Sequence, residues 1–195
     1  MKAVFLDRDG VLNKSAFRNG NPVPPNPEEF ELETGAKEGC KALKTEGFLL
    51  VVATNQPDVG RGTKPKEEVE EIHRRLKALI PEIDEIKVCY DAGDGESDRR
   101  KPGAGMLREA ADELGISLAD SWMVGDRDKD IACGQRAGCK TVLIGEGKAG
   151  GSPPRAGRCA GPGGTPRHKP TRICKNLQEA AEAILGEEQA KNPKT

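Results

Sequence analysis

Large aromatic side chains are scarce: Phe, Trp and Tyr make up 3% of the 195 residues. The core must therefore come mainly from Val, Leu, Ile and Ala. No charge of one sign dominates either, because 31 Lys and Arg stand against 32 Asp and Glu, leaving a net charge of −1. A chain-wide nucleic-acid surface is not indicated. No apolar run approaches the ~20 residues of a membrane helix, the longest spanning 48–53. Asp7 and Arg8 interrupt the N-terminal segment before a signal-peptide core could form, so a cytoplasmic protein without membrane association is expected. The six cysteines (40, 89, 133, 139, 159 and 174) include no Cys-x-x-Cys pair. Reduced thiols are expected, with Cys40, Cys133 and Cys139 as small buried hydrophobes.

What is present is a regular alternation within about one domain's length. Runs rich in Val, Leu and Ile at 3–6, 49–53, 85–88, 121–124 and 141–144 predict strands. Between them, 36–46, 66–80, 103–114 and 128–137 have helical patterns, and a last one lies near 177–185. Gly47, Gly115 and Gly138 follow helical stretches, where glycine ends a helix cleanly. Pro102 suits the start of the next helix. Strands alternating with helices imply an α/β fold: a three-layer, doubly wound, Rossmann-like parallel sheet with no large cap domain. The expected organisation is a catalytic core over 1–145, a Gly/Pro-rich basic loop over 146–175, a C-terminal helix over 176–186 completing the core, and a tail over 187–195.

Two segments break the rhythm. Residues 15–29 are rich in Asn and Pro and predict an ordered loop or short flap near the first strand's exit. Residues 148–175 contain no Asp or Glu but carry Lys148, Arg155, Arg158, Arg167, Lys169, Arg172 and Lys175. They read either as a solvated insertion or as a cationic arm holding a phosphorylated substrate.

Ligands in open α/β sheets bind beyond the C-terminal ends of the strands. There the sequence places Asp7-Arg8-Asp9-Gly10, Thr54-Asn55-Gln56, Arg100-Lys101-Pro102 and Gly125-Asp126-Arg127-Asp128-Lys129-Asp130. Clustered carboxylates repel one another and invite a divalent cation. Oxygen ligands favour Mg²⁺ over zinc. With Asp7 and Asp9 set two apart around a turn at Gly10, one carboxylate can attack phosphorus while the other handles the proton. Mg²⁺, Lys101 and Thr54 then supply the positioning and charge neutralisation that phosphoryl transfer needs. His73 and His168 read as non-catalytic, His73 as a surface residue of a charged helix, and Trp122 and Met123 as packing.

The run Phe5-Leu6-Asp7-Arg8-Asp9-Gly10-Val11-Leu12-Asn13 resembles the first motif of the haloacid dehalogenase superfamily of phosphatases. Thr54, Lys101 and Gly125-Asp126 with Asp130 match the second, third and fourth motifs in order. Within the superfamily the motifs resemble the D-glycero-D-manno-heptose 1,7-bisphosphate phosphatases and the related histidinol phosphatases, over about 1–145. The resemblance implies Asp7 as the nucleophile forming an aspartyl-phosphate and Asp9 as the general acid/base. It implies Asp7, the Asp9 backbone carbonyl and Asp126 as Mg²⁺ ligands. Thr54 and Lys101 would bind the phosphoryl group, helped by Asn55 within Thr54-Asn55-Gln56. Arg100, Arg61 and the Ser15 to Arg18 loop would recognise the rest of the substrate. Asp130 would orient Lys101 or the metal shell, beside Arg127.

Relatives often carry a Cys-x-His…Cys-x-Cys zinc loop before the Arg-Lys-Pro motif, where this chain has Cys89-Tyr90-Asp91 and Ser97-Asp98-Arg99. One thiolate cannot build a four-coordinate structural site, so structural zinc is expected to be absent. The loop is then held by Asp91, Asp94 or Asp98 with Arg99. Pro57-Asp58 follows Thr54-Asn55-Gln56 where many heptose enzymes have Ser-Gly. The expected partner is a small phosphorylated sugar, the chain a monomer, and nucleic acid not a partner. Histidinol phosphate or a nucleic-acid 3′-phosphate are alternative substrates. A phospho-accepting signalling domain is the alternative of another class, disfavoured because it has no use for Asp9.

Overall fold

The computed structural model of the chain describes residues 1–93, 97–145 and 168–191. In chain order the elements are β1 (Ala3–Leu6), β2 (Ala16–Arg18), β3 (Asn21–Val23), α1 (Ala36–Thr45), β4 (Leu49–Asn55), α2 (Pro57–Gly60), α3 (Lys66–Leu79), β5 (Glu85–Cys89), α4 (Gly105–Leu114), β6 (Trp122–Gly125), α5 (Asp128–Ala137), β7 (Lys140–Ile144), β8 (Arg172–Cys174) and α6 (Leu177–Lys191). A six-stranded sheet has the order β5-β4-β1-β6-β7-β8. Its pairings are parallel.

Side chains alternate across a strand, and both faces of this sheet are covered. Val4 and Leu6 pack with Cys40 of α1, Leu76 of α3 and Ile184 of α6. Ala3 and Phe5 pack on the opposite face with Met106 and Leu107 of α4 and Cys133 of α5. Burial on both faces explains why the strands read as unbroken apolar runs. The fold is the three-layer, doubly wound sheet that the alternation implied, with no large cap among the described residues. The chain extends from β1 to β4 and β5 on one side, then crosses to β6, β7 and β8 on the other. The topological switch point, where such folds bind ligands, therefore lies at the C-terminal ends of β1, β4 and β6.

Local differences from the sequence reading have identifiable causes. Within the loop expected over 15–29, β2 and β3 form an antiparallel hairpin. Its turn residues Asn19 and Gly20 have φ of 51° and 75°, the positive values a tight hairpin turn requires. Strand β8 lies inside the loop expected over 146–175 and pairs with β7 through Leu143↔Ile173. Three residues are too few to show a period, so only the neighbouring strand defines it. Residues 187–191, expected in the tail, belong to α6. Gly186 does not stop that helix, because Glu187 pairs with Lys140 and Arg172 and Glu188 with Lys2. Residues 146–167, including Cys159, Asp94 in 94–96, and 192–195 lie outside the described residues. No described helix is long and apolar enough to cross a membrane.

Helix α6 sits directly on α1, with a Cβ built at Gly39 falling 2.7 Å from the Leu177 carbonyl oxygen. Ile184 of α6 is fully buried. Ile184→Ala should cost roughly 2–5 kcal/mol in chemical denaturation, and an unchanged midpoint would show that α6 does not complete the core.

Candidate active site

The site begins one residue beyond β1. The Asp7 N–H donates to the Val124 carbonyl at 2.9 Å, tying the strand exit to β6. The chain then turns, with the Leu12 and Asn13 N–H groups donating to the Arg8 carbonyl at 2.9 and 3.0 Å. Gly10 makes this turn at φ +91°, and a Cβ there would lie 2.5 Å from Asp126 Oδ2. Both the backbone conformation and the approach of Asp126 demand glycine.

Lys101 enters from the loop after β5 and is wholly buried. Its Nζ lies 2.8 Å from Asp7 Oδ1 and 2.7 Å from Asp130 Oδ1. These carboxylates hold the ammonium above its ordinary range despite burial. Burial opposes the Asp7 charge, but Lys101 and then Lys129 outweigh it and keep the carboxyl below the usual range. Asp130 also accepts from the Arg127 N–H at 3.0 Å, so one carboxylate secures the α5 N-terminus and orients Lys101. Asn55 uses its side chain on the Lys101 backbone, donating to its carbonyl at 3.0 Å and accepting from its N–H at 3.1 Å. The clamp uses Oδ1 and one of the two Nδ2 hydrogens of Asn55.

Asp126 is the unbalanced member. Its Oδ1 is buried without a hydrogen-bond partner, and Arg127 Nε stays 3.7 Å away. Burial, Asp7 and Asp130 push its carboxyl up to about 7. Candidate ligand atoms of Asp7, Asp126 and Asp130 lie within 4.8 Å of one another. An orphaned oxygen in an oxygen-only cluster fits a hard divalent cation. Asp130 has both oxygens engaged, Oδ1 with Lys101 and Oδ2 with the Arg127 N–H, whereas Lys101 meets Asp7 through Oδ1 alone, leaving Asp7 and Asp126 as the available carboxylates.

Asp9 points away from this cluster and is surrounded by donors. Arg8 Nη2 lies 3.1 Å from both its oxygens, Asn13 Nδ2 donates to Oδ1 at 2.9 Å, and Gln56 Nε2 donates to Oδ2 at 2.8 Å. Gln56 also donates to Thr54 Oγ1 at 2.9 Å, linking the β4 exit to Asp9. Arg8 and Asn13 were not singled out as site residues, although both are fully buried. His73, read as a surface residue, is also buried, and its Nε2 lies 3.1 Å from Arg8 Nη1. Its signal was present: Val69, Ile72, His73 and Leu76 form the buried stripe of α3, the helical spacing of a core face. The charged residues around it, Glu70, Glu71, Arg74 and Arg75, concealed that pattern.

Of the expected substrate-recognition residues, Arg18 and Arg61 are exposed and Ser15 and Arg100 half-buried. Arg18 pairs with Glu29 at 2.6 Å on the hairpin, and Arg61 with Asp58 at 3.4 Å, both exposed. Ser15 is half-buried just before β2. No hydrogen bond or ion pair among the described residues joins these three to the carboxylate cluster. Arg100 donates to the Asp91 carbonyl at 2.7 Å, bracing the loop before Lys101. Arg99 does not pair with Asp91 or Asp98: it binds Glu109 at 2.9 Å while Asp98 binds Arg108 at 3.0 Å. These partners are supplied by α4, which local sequence could not indicate. Burial raises the Cys89 thiol's pKa, and Cys89 Sγ lies 3.4 Å from Asp91 Oδ2.

A doubly wound α/β sheet with an acidic rim and a buried lysine at its switch point suits phosphoryl chemistry. A family model described as haloacid dehalogenase-like hydrolase matches residues 27–138, and a second, HAD-hydrolase-like, matches 98–180. The chain belongs to the haloacid dehalogenase-like hydrolases. It is 36% identical over 160 residues to the D-glycero-beta-D-manno-heptose-1,7-bisphosphate 7-phosphatase of Haemophilus ducreyi, covering 76% of this chain and 85% of that protein. Its identity to the enzyme of the same name from Pseudomonas putida is 35% over 152 residues, covering 76% and 85%. The structure of D,D-heptose 1,7-bisphosphate phosphatase from B. bronchiseptica, complexed with magnesium and phosphate, superposes with a TM-score of 0.75 at 30% identity, covering 96% of this chain and 99% of that one.

Removing Lys101 would leave buried carboxylates without their shared cation. Lys101→Met should therefore destabilise the fold by about 3–5 kcal/mol in urea denaturation. A loss below about 1 kcal/mol would mean that the pair contributes little to stability.

Proposed function

We propose that this phosphatase is a Mg²⁺-dependent phosphomonoesterase acting on a sugar bisphosphate through an aspartyl-phosphate on Asp7. The observation that carries the reading is Lys101 bridging Asp7 and Asp130 beside a separately held Asp9. The pairing fixes Asp7 through Oδ1 and leaves Oδ2 as the oxygen that Lys101 does not engage. Asp7 attacks phosphorus and the P–O ester bond breaks, with Lys101 and Thr54 binding the transferring group. The leaving oxygen takes a proton from Asp9. Asp9 then accepts a proton from water as that water attacks the aspartyl-phosphate, releasing inorganic phosphate and restoring Asp7. These steps need oriented groups and charge neutralisation more than new covalent machinery. Asp7, Asp126 and the Asp9 carbonyl would hold Mg²⁺, which neutralises phosphoryl charge when bound.

The relatives' names make D-glycero-D-manno-heptose 1,7-bisphosphate the leading substrate. Arg100, Arg18, Arg61 and Ser15 are the residues proposed to meet its remainder. With Cys89 opposite Asp91 in place of a cysteine-rich set, the loop is proposed to hold no structural zinc. A monomer working in the cytoplasm is consistent with this reading.

Phosphate release with Mg²⁺ should be fastest with heptose bisphosphate among sugar phosphates, histidinol phosphate and a 3′-phosphorylated oligonucleotide. Asp7→Asn should abolish it, and Asp9→Asn should reduce it by roughly 10²–10⁴-fold. Labelling of Asp7 by acetyl phosphate with no turnover on any substrate would favour a signalling domain instead. Thermal unfolding provides a second test. Mg²⁺ at about 100 times its Kd should add about 2.7 kcal/mol to the wild type and much less to Asp126→Asn. Elemental analysis showing one zinc per chain would overturn the proposal for the loop.

A further inference from the structure

Arg8 is fully buried although it lies within the acidic motif. A buried guanidinium needs acceptors for its fixed set of donors. Asp9 supplies one side, contacting Arg8 Nη2 at 3.1 Å and Nε at 3.4 Å. The other acceptor comes from α3, where His73 Nε2 lies 3.1 Å from Arg8 Nη1. Burial first, and then the Arg8 charge, lower His73 to about 4, against the opposing pull of Glu70. His73 is therefore a neutral imidazole at neutral pH, with Nε2 free to accept and the proton on Nδ1. Nδ1 faces Glu70 Oε2 at 3.5 Å, and Glu70 Oε1 accepts from the Tyr90 hydroxyl. A continuous polar chain thus runs from Tyr90 after β5, through Glu70 and His73 of α3, to Arg8 and Asp9 after β1.

We infer that His73 is a positioning residue: through Nε2 it fixes the Arg8 guanidinium, and Arg8 in turn sets where the Asp9 carboxyl stands for proton transfer. The inference rests on the reading of Asp9 as general acid/base. Glu70 selects the His73 tautomer, since an imidazole protonated at Nε2 would offer Arg8 a donor where an acceptor is required. Fixing a reacting group through an outer hydrogen-bond partner commonly matters by 10–100-fold. Among the described residues His73 hydrogen-bonds neither Asp7 nor Asp9, so its hold on the Asp9 carboxyl passes through Arg8.

The test compares two polar replacements differing by one methylene. His73→Gln retains an acceptor near the position of Nε2, whereas the shorter His73→Asn withdraws it. Each is assayed in single turnover on two esters, the best sugar bisphosphate and p-nitrophenyl phosphate, whose nitrophenolate leaves without a proton. His73→Asn should release the sugar roughly 10–100-fold more slowly, release nitrophenolate within about threefold of wild type, and leave KM for both esters unchanged. His73→Gln should restore most of the sugar-releasing rate. Equal losses on both esters, or an Asn variant as fast as wild type, would overturn the inference. If His73→Asn fails to fold, Glu70→Ala serves instead and should show the same selective loss at a few-fold, with wild-type behaviour on both esters overturning the inference. Asp9→Asn separates this inference from the reading beneath it. If Asp9→Asn shows no selective loss on the sugar ester, the acid/base reading fails and the inference with it. If Asp9→Asn shows that loss and His73→Asn does not, only the role of His73 fails.

Discussion

The ammonium of Lys101 is the interaction on which the site depends. It sits in a dry interior where an unpaired charge is prohibitively expensive, contacting Asp7 and Asp130 at 2.8 and 2.7 Å. Three structural requirements follow. The loop after β5 must deliver Lys101 to the β1 exit, which the Asn55 clamp on its backbone secures. Helix α5 must begin where Asp130 can reach both Lys101 and the Arg127 N–H. The β1 and β6 ends must remain in register, as the Asp7 bond to Val124 ensures. The sheet's switch point is thus cross-linked by charge as well as by strand pairing.

The sequence was legible where local pattern and three-dimensional role coincide. Strands buried on both faces appear as apolar runs, so the central sheet could be read directly; motifs immediately beyond those runs were then assigned to one rim. Features defined by a distant partner were harder to read. β8 exists through its pairing with β7, and the last turns of α6 are stabilised by Lys140, Arg172 and Lys2. Arg99 chose Glu109 on α4 over the nearer aspartates. The Asn19-Gly20 turn was legible from chemistry alone, but the surrounding prolines concealed it. His73 required the helical period to be given precedence over its charged neighbours.

Asp9 and Asp7 are held by different means despite their proximity in sequence. Asp7 is fixed by a cation from across the sheet. Asp9 is held by its own neighbour Arg8, by Asn13 within the turn, and by Gln56 from the next motif. The glycine turn makes this division possible by directing the two side chains into separate surroundings. The proposed roles of nucleophile and proton carrier need different environments, and a straight strand would place residues two apart on the same face.

The charge balance of the rim gives the remaining argument. Lys101 ties Asp7 to Asp130, and Arg8 pairs with Asp9. Asp126 is left with Arg127 at 3.7 Å and a buried oxygen that lacks a hydrogen-bond partner. A further side-chain cation would supply positive charge, yet it would pin Asp126 as firmly as Lys101 pins Asp7 and close the rim to an incoming anion. A divalent cation, the proposed occupant, would meet both demands: it would neutralise the leftover carboxylate and keep positive charge for a phosphoryl group. On the proposed reading, the imbalance at Asp126 is the feature that makes the ion-pair network receptive to substrate.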